Sequence, residues 1–203
     1  MKLVGPWISG FTRRTGITMK LLGIPFEHLN LNAYTDKEEV RRYSPMGKVP
    51  ALVLDNGEVL IDSAGIIDVL HEMVGPEKAL IPPSGPARLR ALKLIGIGVN
   101  IYPKASSLYD ETLRPKEHQL QSVFEGLAEQ VIIGLTLLEK EAGDGWLVND
   151  KFSQADIMTG ICYQGGSMLV LPDHVNAQTF PRLAALTERA MKIDAFASTA
   201  PHL

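Results

Sequence analysis

A chain of 203 residues that is 45% hydrophobic and 21% charged can pack a core and is not of disordered composition. A net charge of −3 gives no electrostatic footprint for nucleic acid, and a single cysteine, Cys162, excludes an internal disulfide and any paired-cysteine redox or zinc motif. No apolar run is long enough to span a bilayer, and the opening residues, interrupted by Gly5, Pro6 and Gly10, do not read as a signal peptide, so a cytoplasmic protein with no membrane partner is expected.

In chain order, Lys2–Ile8 suits a strand that ends at Ser9-Gly10. Helical periodicity starts at Phe11 and stops where Gly23 can cap and Pro25 prevents continuation. Phe26–Leu31 reads as a second strand. Thr35 and Glu38 have capping-box spacing for a short helix reaching about Tyr43. Two short apolar runs, Ala51–Leu54 and Val59–Ile61, flank Asp55-Asn56-Gly57, a turn sequence whose Asn and Gly tolerate positive φ. A third helix opens at Asp62-Ser63 and stops at Gly75-Pro76. The order is βαβαββα, which places a parallel pair at the front and an antiparallel hairpin behind it.

The proline-rich stretch Pro76–Pro86 is the candidate linker, which divides the chain into a first domain at 1–77, a connection at 78–86 and a second domain at 87–203. Beyond it the chain reads as all-helical: Ala87–Ser107, His118–Ala142, Ser153–Leu171 and Phe180–Ala197. Ser153 and Asp156 form a second capping box, at the start of the third of these helices. His71, His118 and His174 fall in no metal-ligand spacing, so no metal is expected. Cys162 lies among apolar helical neighbours and reads as a small core residue.

The stretch Gly47–Ser63 carries the chemistry. Pro50 cannot donate to a sheet ladder, so at the head of a strand it leaves backbone open for a ligand to pair with, and the Val49-Pro50 bond suits a cis turn. Ser63 stands where the helix begins, and a helix start with a hydroxyl is a ready site for a carboxylate. Lys48 could add a point charge for a second carboxylate or be a plain surface lysine. Ser9, between the first strand and the first helix, can cap that helix or present its hydroxyl to a ligand at the strand ends; Thr12 is a second hydroxyl at the same helix start. Trp7 is a candidate ligand contact, with core packing as the alternative, while Arg13 and Arg14 read as a solvated helix face with one structural ion pair.

Gly47-Lys48-Val49-Pro50-Ala51-Leu52 followed by Asp62-Ser63 resembles the glutathione-binding half of the cytosolic glutathione transferase family. The segment Phe152-Ser153-Gln154-Ala155-Asp156 and the helix opening Phe180-Pro181-Arg182-Leu183 are similar to that family's second domain, and Ser9 to Arg14 is similar to the Ser-Pro-Phe-Val-Arg-Arg opening of its serine-type members. Gly10 departs from that pattern by replacing a proline, and Thr12 by replacing an aliphatic residue. The resemblance implies a thioredoxin-like first domain, a helical second domain, glutathione as co-substrate and a homodimer. It implies that Ser9, or else Thr12, stabilises the glutathione thiolate, that Val49 beside Pro50 pairs with the tripeptide backbone, that Asp62 and Ser63 hold the γ-glutamyl end, and that Lys48 approaches the glycyl carboxylate. The second substrate would be a small hydrophobic electrophile, with Tyr102 and Tyr109 as candidate lining residues. Two other outcomes stay open: a non-catalytic protein-binding module on the same fold, and a glutathione-dependent etherase or isomerase. No cysteine stands near Ser9, which departs from the Ser-Ser-Cys signature of the maleylacetoacetate isomerase branch.

Overall fold

A computed structural model describes residues 1–201, which form two compact units. The first comprises Met1–Pro83 and the segment from Ile193 onward; the second is Ser84–Lys192. The sequence had placed everything from residue 87 to the end in the second domain; the last segment instead groups with the first unit, through contacts described below.

The first unit has a thioredoxin-like mixed sheet of four strands in the order β2-β1-β3-β4. These are β1 (Lys2–Val4), β2 (Glu27–Leu29), β3 (Ala51–Val53) and β4 (Val59–Ile61). β1 and β2 run parallel, while β3 is antiparallel to both β1 and β4. Helices α1 (Gly10–Leu21), α2 (Lys37–Arg41) and α3 (Ser63–Val74) complete the predicted order. The first strand is shorter than expected because Gly5 adopts φ +133° and Pro6 has no N–H to continue a ladder. The α1 terminus is as predicted: Gly23 takes φ +68°, its N–H bonds the Lys20 carbonyl, and the Ile24 N–H reaches back to the Met19 carbonyl, closing a Schellman motif. The Thr35–Glu38 capping box does not form. Asp36 occupies the N-cap position of α2 without a side-chain bond to the helix, and turns a carboxylate oxygen to the Asn32 N–H at 2.7 Å.

Leu3 and Leu52 are register partners on β1 and β3, and both are fully buried with Met19 of α1 and Ile66 and Leu70 of α3. This core fixes the sheet against the two helices, burying apolar area worth about 1.5–3 kcal/mol per large side chain. The same register aligns the far ends of three strands: Val4 lies opposite Ala51, and Ala51 opposite Ile61. Gly5, Pro50 and Asp62 therefore emerge side by side at one sheet edge.

The second unit is helical: α4 (Gly85–Thr112), α5 (Gln121–Glu141), α6 (Gln154–Gly165) and α7 (Pro181–Ala190), with a 3-10 turn at Lys116–His118 before α5. α4 is longer than predicted at both ends. Pro86 occupies its first turn, where a missing N–H costs nothing, and Pro103 lies within it without ending it. α6 passes into a π-helical turn, Gly166–Val170. The predicted helix Phe180–Ala197 is two helices, α7 and α8 (Asp194–Ala197), and the break between them is where the second unit ends.

The Ser153–Asp156 capping box is present. One Asp156 carboxylate oxygen accepts from the Ser153 N–H at 2.9 Å and its hydroxyl at 2.7 Å, and the other accepts from the Leu147 N–H at 2.8 Å. Asp156 is fully buried, and that desolvation raises its carboxyl pKa against the lowering effect of these bonds. Replacing it with asparagine sets an amide NH2 against donors that need an acceptor. We expect Asp156→Asn to cost about 2–4 kcal/mol, since it leaves buried donors unsatisfied, and thermal denaturation will read it as a fall in Tm. Cys162, 2% exposed, donates its thiol to the Gly98 carbonyl at 3.2 Å between α6 and α4, as a small core residue would.

Candidate functional site

Two helix starts and one open backbone segment meet the sheet edge defined by Gly5, Pro50 and Asp62. At the first helix start Ser9, half-buried and extended, caps α1: its Oγ accepts the Thr12 N–H at 3.4 Å, and its carbonyl accepts the Arg13 N–H at 2.8 Å. Accepting through a lone pair leaves the hydroxyl hydrogen free to donate elsewhere, so capping and ligand binding do not compete. Thr12 stands differently. It is fully buried, and its Oγ1 has no hydrogen-bond partner among the described residues. A methyl built on Gly5 would lie 2.3 Å from that oxygen and 2.9 Å from the Val49 Cβ, so Thr12 is sealed beneath the Gly5 backbone and Val49.

The open segment is Val49. The Val49-Pro50 peptide is cis, Pro50 is buried, and among the described residues neither the N–H nor the carbonyl of Val49 is engaged in a hydrogen bond. Its approach is fixed by Ser44, to which the sequence assigned no role. Ser44 is fully buried, its Oγ accepts the Lys48 N–H at 3.3 Å, and its carbonyl accepts the Gly47 N–H at 2.8 Å, with Gly47 at φ +65°. Lys48 itself is exposed.

At the second helix start, α3 begins at Ser63 and the residue before it, Asp62, is the N-cap. Asp62 takes φ +74°, a left-handed conformation rare for a non-glycine residue, and its Oδ1 accepts the Ala64 N–H at 2.7 Å. Held so, Asp62 is exposed while Ser63 is only 5% exposed. Backbone held in a sparsely populated region at a helix start is the kind of local strain that functional sites retain.

Trp7 lies in the turn after β1, not on a strand face. Its ring stacks on His28 with centroids 3.8 Å apart and crosses α1 at Gly16, where an added methyl would sit 2.5 Å from the indole. His28 in turn places Nε2 2.7 Å from the Gly5 carbonyl, and the Gly5 N–H bonds the Leu29 carbonyl at 2.9 Å. Gly5 is thus gripped on both sides of its backbone. Tyr102 and Tyr109 both lie on α4 of the second unit, Tyr102 half-buried and Tyr109 at 36% exposure. Among the described residues, no group of three His, Cys, Asp or Glu side chains is placed to hold a metal ion, and no helix is long and apolar enough to cross a membrane.

A family model described as "Glutathione S-transferase, N-terminal domain" matches residues 8–73, a span that includes both helix starts and the open segment. Over nearly the full length of both chains, the protein is 30% identical to the GST-like protein YibF of Escherichia coli K12, spanning 99% of this chain and 98% of that one. The chain belongs to the glutathione transferase family. Within the family it is also 33% identical to a maleylacetoacetate isomerase of Pseudomonas aeruginosa, over 77% of each chain. The solved structure of a glutathione transferase from Methylobacillus flagellatus with glutathione bound is 28% identical and superposes with a TM-score of 0.89 over 99% of both chains.

Proposed function

We propose that this protein is a glutathione-dependent enzyme of the serine type, in which Ser9 donates its hydroxyl hydrogen to the glutathione sulfur. The observation that carries this is the half-buried Ser9 hydroxyl, capping α1 through its lone pair, at the sheet edge where the Val49 main chain is open. In this reading the N–H and carbonyl of Val49 pair with the tripeptide backbone. The Ser63 hydroxyl and the free N–H groups of the α3 start take the γ-glutamyl carboxylate, the exposed Asp62 carboxylate faces the α-amino group, and Lys48 approaches the glycyl carboxylate. Thr12 is enclosed by Gly5 and Val49, so the thiolate is assigned to Ser9 alone.

The magnitudes suffice. A free thiol has a pKa of about 8.5, and lowering it by about two units takes roughly 2.7 kcal/mol of preferential stabilisation of the thiolate. A hydrogen bond to a charged acceptor supplies about 1.5–3 kcal/mol, and the α1 N-terminus adds several tenths. The activated sulfur then attacks a small hydrophobic electrophile, in a cytoplasmic homodimer.

The likeness to a maleylacetoacetate isomerase favours a second outcome from the same thiolate. There the sulfur adds to a conjugated cis double bond, the new single bond rotates, and elimination returns the thiolate with the trans product. The two outcomes differ in stoichiometry. An electrophile panel containing a chloronitroarene and a maleyl-type cis diacid, assayed for glutathione consumption, separates them: consumption equal to turnover indicates transfer, and turnover without consumption indicates isomerisation. Tight glutathione binding with no turnover across the panel would mark a binding module and overturn the enzyme reading.

A further inference from the structure

Arg13 and Arg14 were expected on a solvated face, yet each is only 2% exposed. Arg13 is the largest fully enclosed side chain of the described residues, and it lies one turn into the helix that Ser9 caps. Two partners of its side chain lie 183 and 186 positions further along the chain. The guanidinium donates from Nε to the Thr199 hydroxyl at 3.4 Å and from a terminal nitrogen to the Phe196 carbonyl at 3.2 Å, and its Cζ lies over the Phe196 ring, 4.3 Å from the centroid. Phe196 and Thr199 are themselves fully buried, and Thr199 passes its hydroxyl hydrogen to the Ala195 and Phe196 carbonyls at 3.1 and 3.0 Å. The Arg13 N–H holds the Ser9 carbonyl at 2.8 Å. The start of α1 is therefore fixed twice at one residue, through its backbone to Ser9 and through its side chain to α8.

We infer that Arg13, with Phe196 and Thr199, is a positioning clasp: the C-terminal segment of the chain sets the orientation of the α1 start, and through it the direction in which Ser9 presents its hydroxyl. The inference rests on Ser9 as the thiolate donor. No member of the clasp is assigned a contact with glutathione in this reading. Its effect is on preorganisation, because a donor free to swing by an ångström loses most of the preference for thiolate over thiol. Gly10, which replaces a proline next to Ser9, makes the local loop looser and leaves more of this restraint to the clasp.

A packing role and a hydrogen-bonding role make opposite demands at Thr199. Valine keeps the volume and loses the hydroxyl, whereas serine keeps the hydroxyl and loses a methyl group. The test is a pH titration of the ultraviolet thiolate absorbance of glutathione bound to the full chain, for wild type, Thr199→Val, Thr199→Ser and Ser9→Ala. We expect Thr199→Val to raise the midpoint enough to cut the thiolate at neutral pH about threefold, Thr199→Ser to titrate as wild type, and Ser9→Ala to show the largest rise. If Ser9→Ala rises while Thr199→Val matches wild type, or if Thr199→Ser is the more impaired of the two, the clasp is refuted and the donor stands. If Ser9→Ala itself titrates as wild type, the donor assignment falls and takes the clasp with it. Arg13→Lys checks the geometry independently: lysine keeps the charge but cannot stack on Phe196 and bond two acceptors in a plane, so its titration should resemble Thr199→Val.

Discussion

Ser9→Ala is expected to lower the turnover of glutathione conjugation by about ten- to a hundredfold at neutral pH, while glutathione affinity changes less than about fivefold. The range follows from losing one hydrogen bond to a charged acceptor, about 1.5–3 kcal/mol, converted at about 1.4 kcal/mol per factor of ten. The asymmetry between rate and affinity follows from where the bonds are made. Val49, Asp62, Ser63 and Lys48 would hold the tripeptide, and none of them depends on the Ser9 hydroxyl. Alanine also removes the N-cap of α1, since Oγ accepts the Thr12 N–H, and that should cost about 1 kcal/mol of stability. Kinetics and calorimetry on the folded variant separate the two losses. An unchanged rate would transfer the donor role away from Ser9.

Gly5→Ala should be the most damaging single-methyl change at the sheet edge. The backbone there has φ +133°, where a Cβ costs about 1–3 kcal/mol, and the added methyl would meet the enclosed Thr12 oxygen at 2.3 Å and the Val49 Cβ at 2.9 Å. Thr12 cannot retreat into a buried core, so Val49 yields and its main chain moves. We expect a loss of about 2–4 kcal/mol in denaturant unfolding, from strain and overpacking together, and glutathione affinity at least tenfold weaker. The double variant Gly5→Ala/Thr12→Ala removes the nearest clash and leaves the backbone strain. It should recover part of the stability and part of the affinity. Full recovery would show that φ at position 5 is not a constraint, and no recovery would show that Thr12 is not what the methyl strikes.

What could be read from the chain beforehand was what short-range chemistry dictates. Asp55-Asn56-Gly57 specified a hairpin because its residues tolerate the turn's backbone, and Gly23 with Pro25 specified the end of α1 for the same kind of reason. The Ser153–Asp156 box required only two residues three positions apart. Errors arose wherever the deciding partner lay elsewhere. Two adjacent arginines look solvent-facing by composition, and the Arg13 partner, Thr199, lies 186 positions away, where no window of the sequence can include it. The start of α3 at Asp62-Ser63 was legible, but the positive φ of Asp62 was not, because nothing in its local preference announces it. Asp36 rather than Thr35 stands at the N-cap position of α2, its carboxylate turned to the Asn32 N–H, a bond that spacing alone does not announce. Trp7 was sought on a strand that Gly5 and Pro6 end three residues earlier. At the site itself, the segment order was legible, because Val49-Pro50 and the helix start at 62–63 are local features. The Gly5–Thr12–Val49 contact was not, since it is made by packing between segments far apart in the chain, and the Ser44 anchor, though it spans only four residues, carries no turn signature that marks it.

The most direct test is a pH titration of the thiolate absorbance of glutathione bound to the unaltered protein. A sulfur stabilised by Ser9 and the α1 start should ionise with a midpoint of about 6.5, roughly two units below the free thiol. A midpoint that stays at about 8.5 in the bound state, or the absence of any binding at millimolar glutathione, would contradict the account.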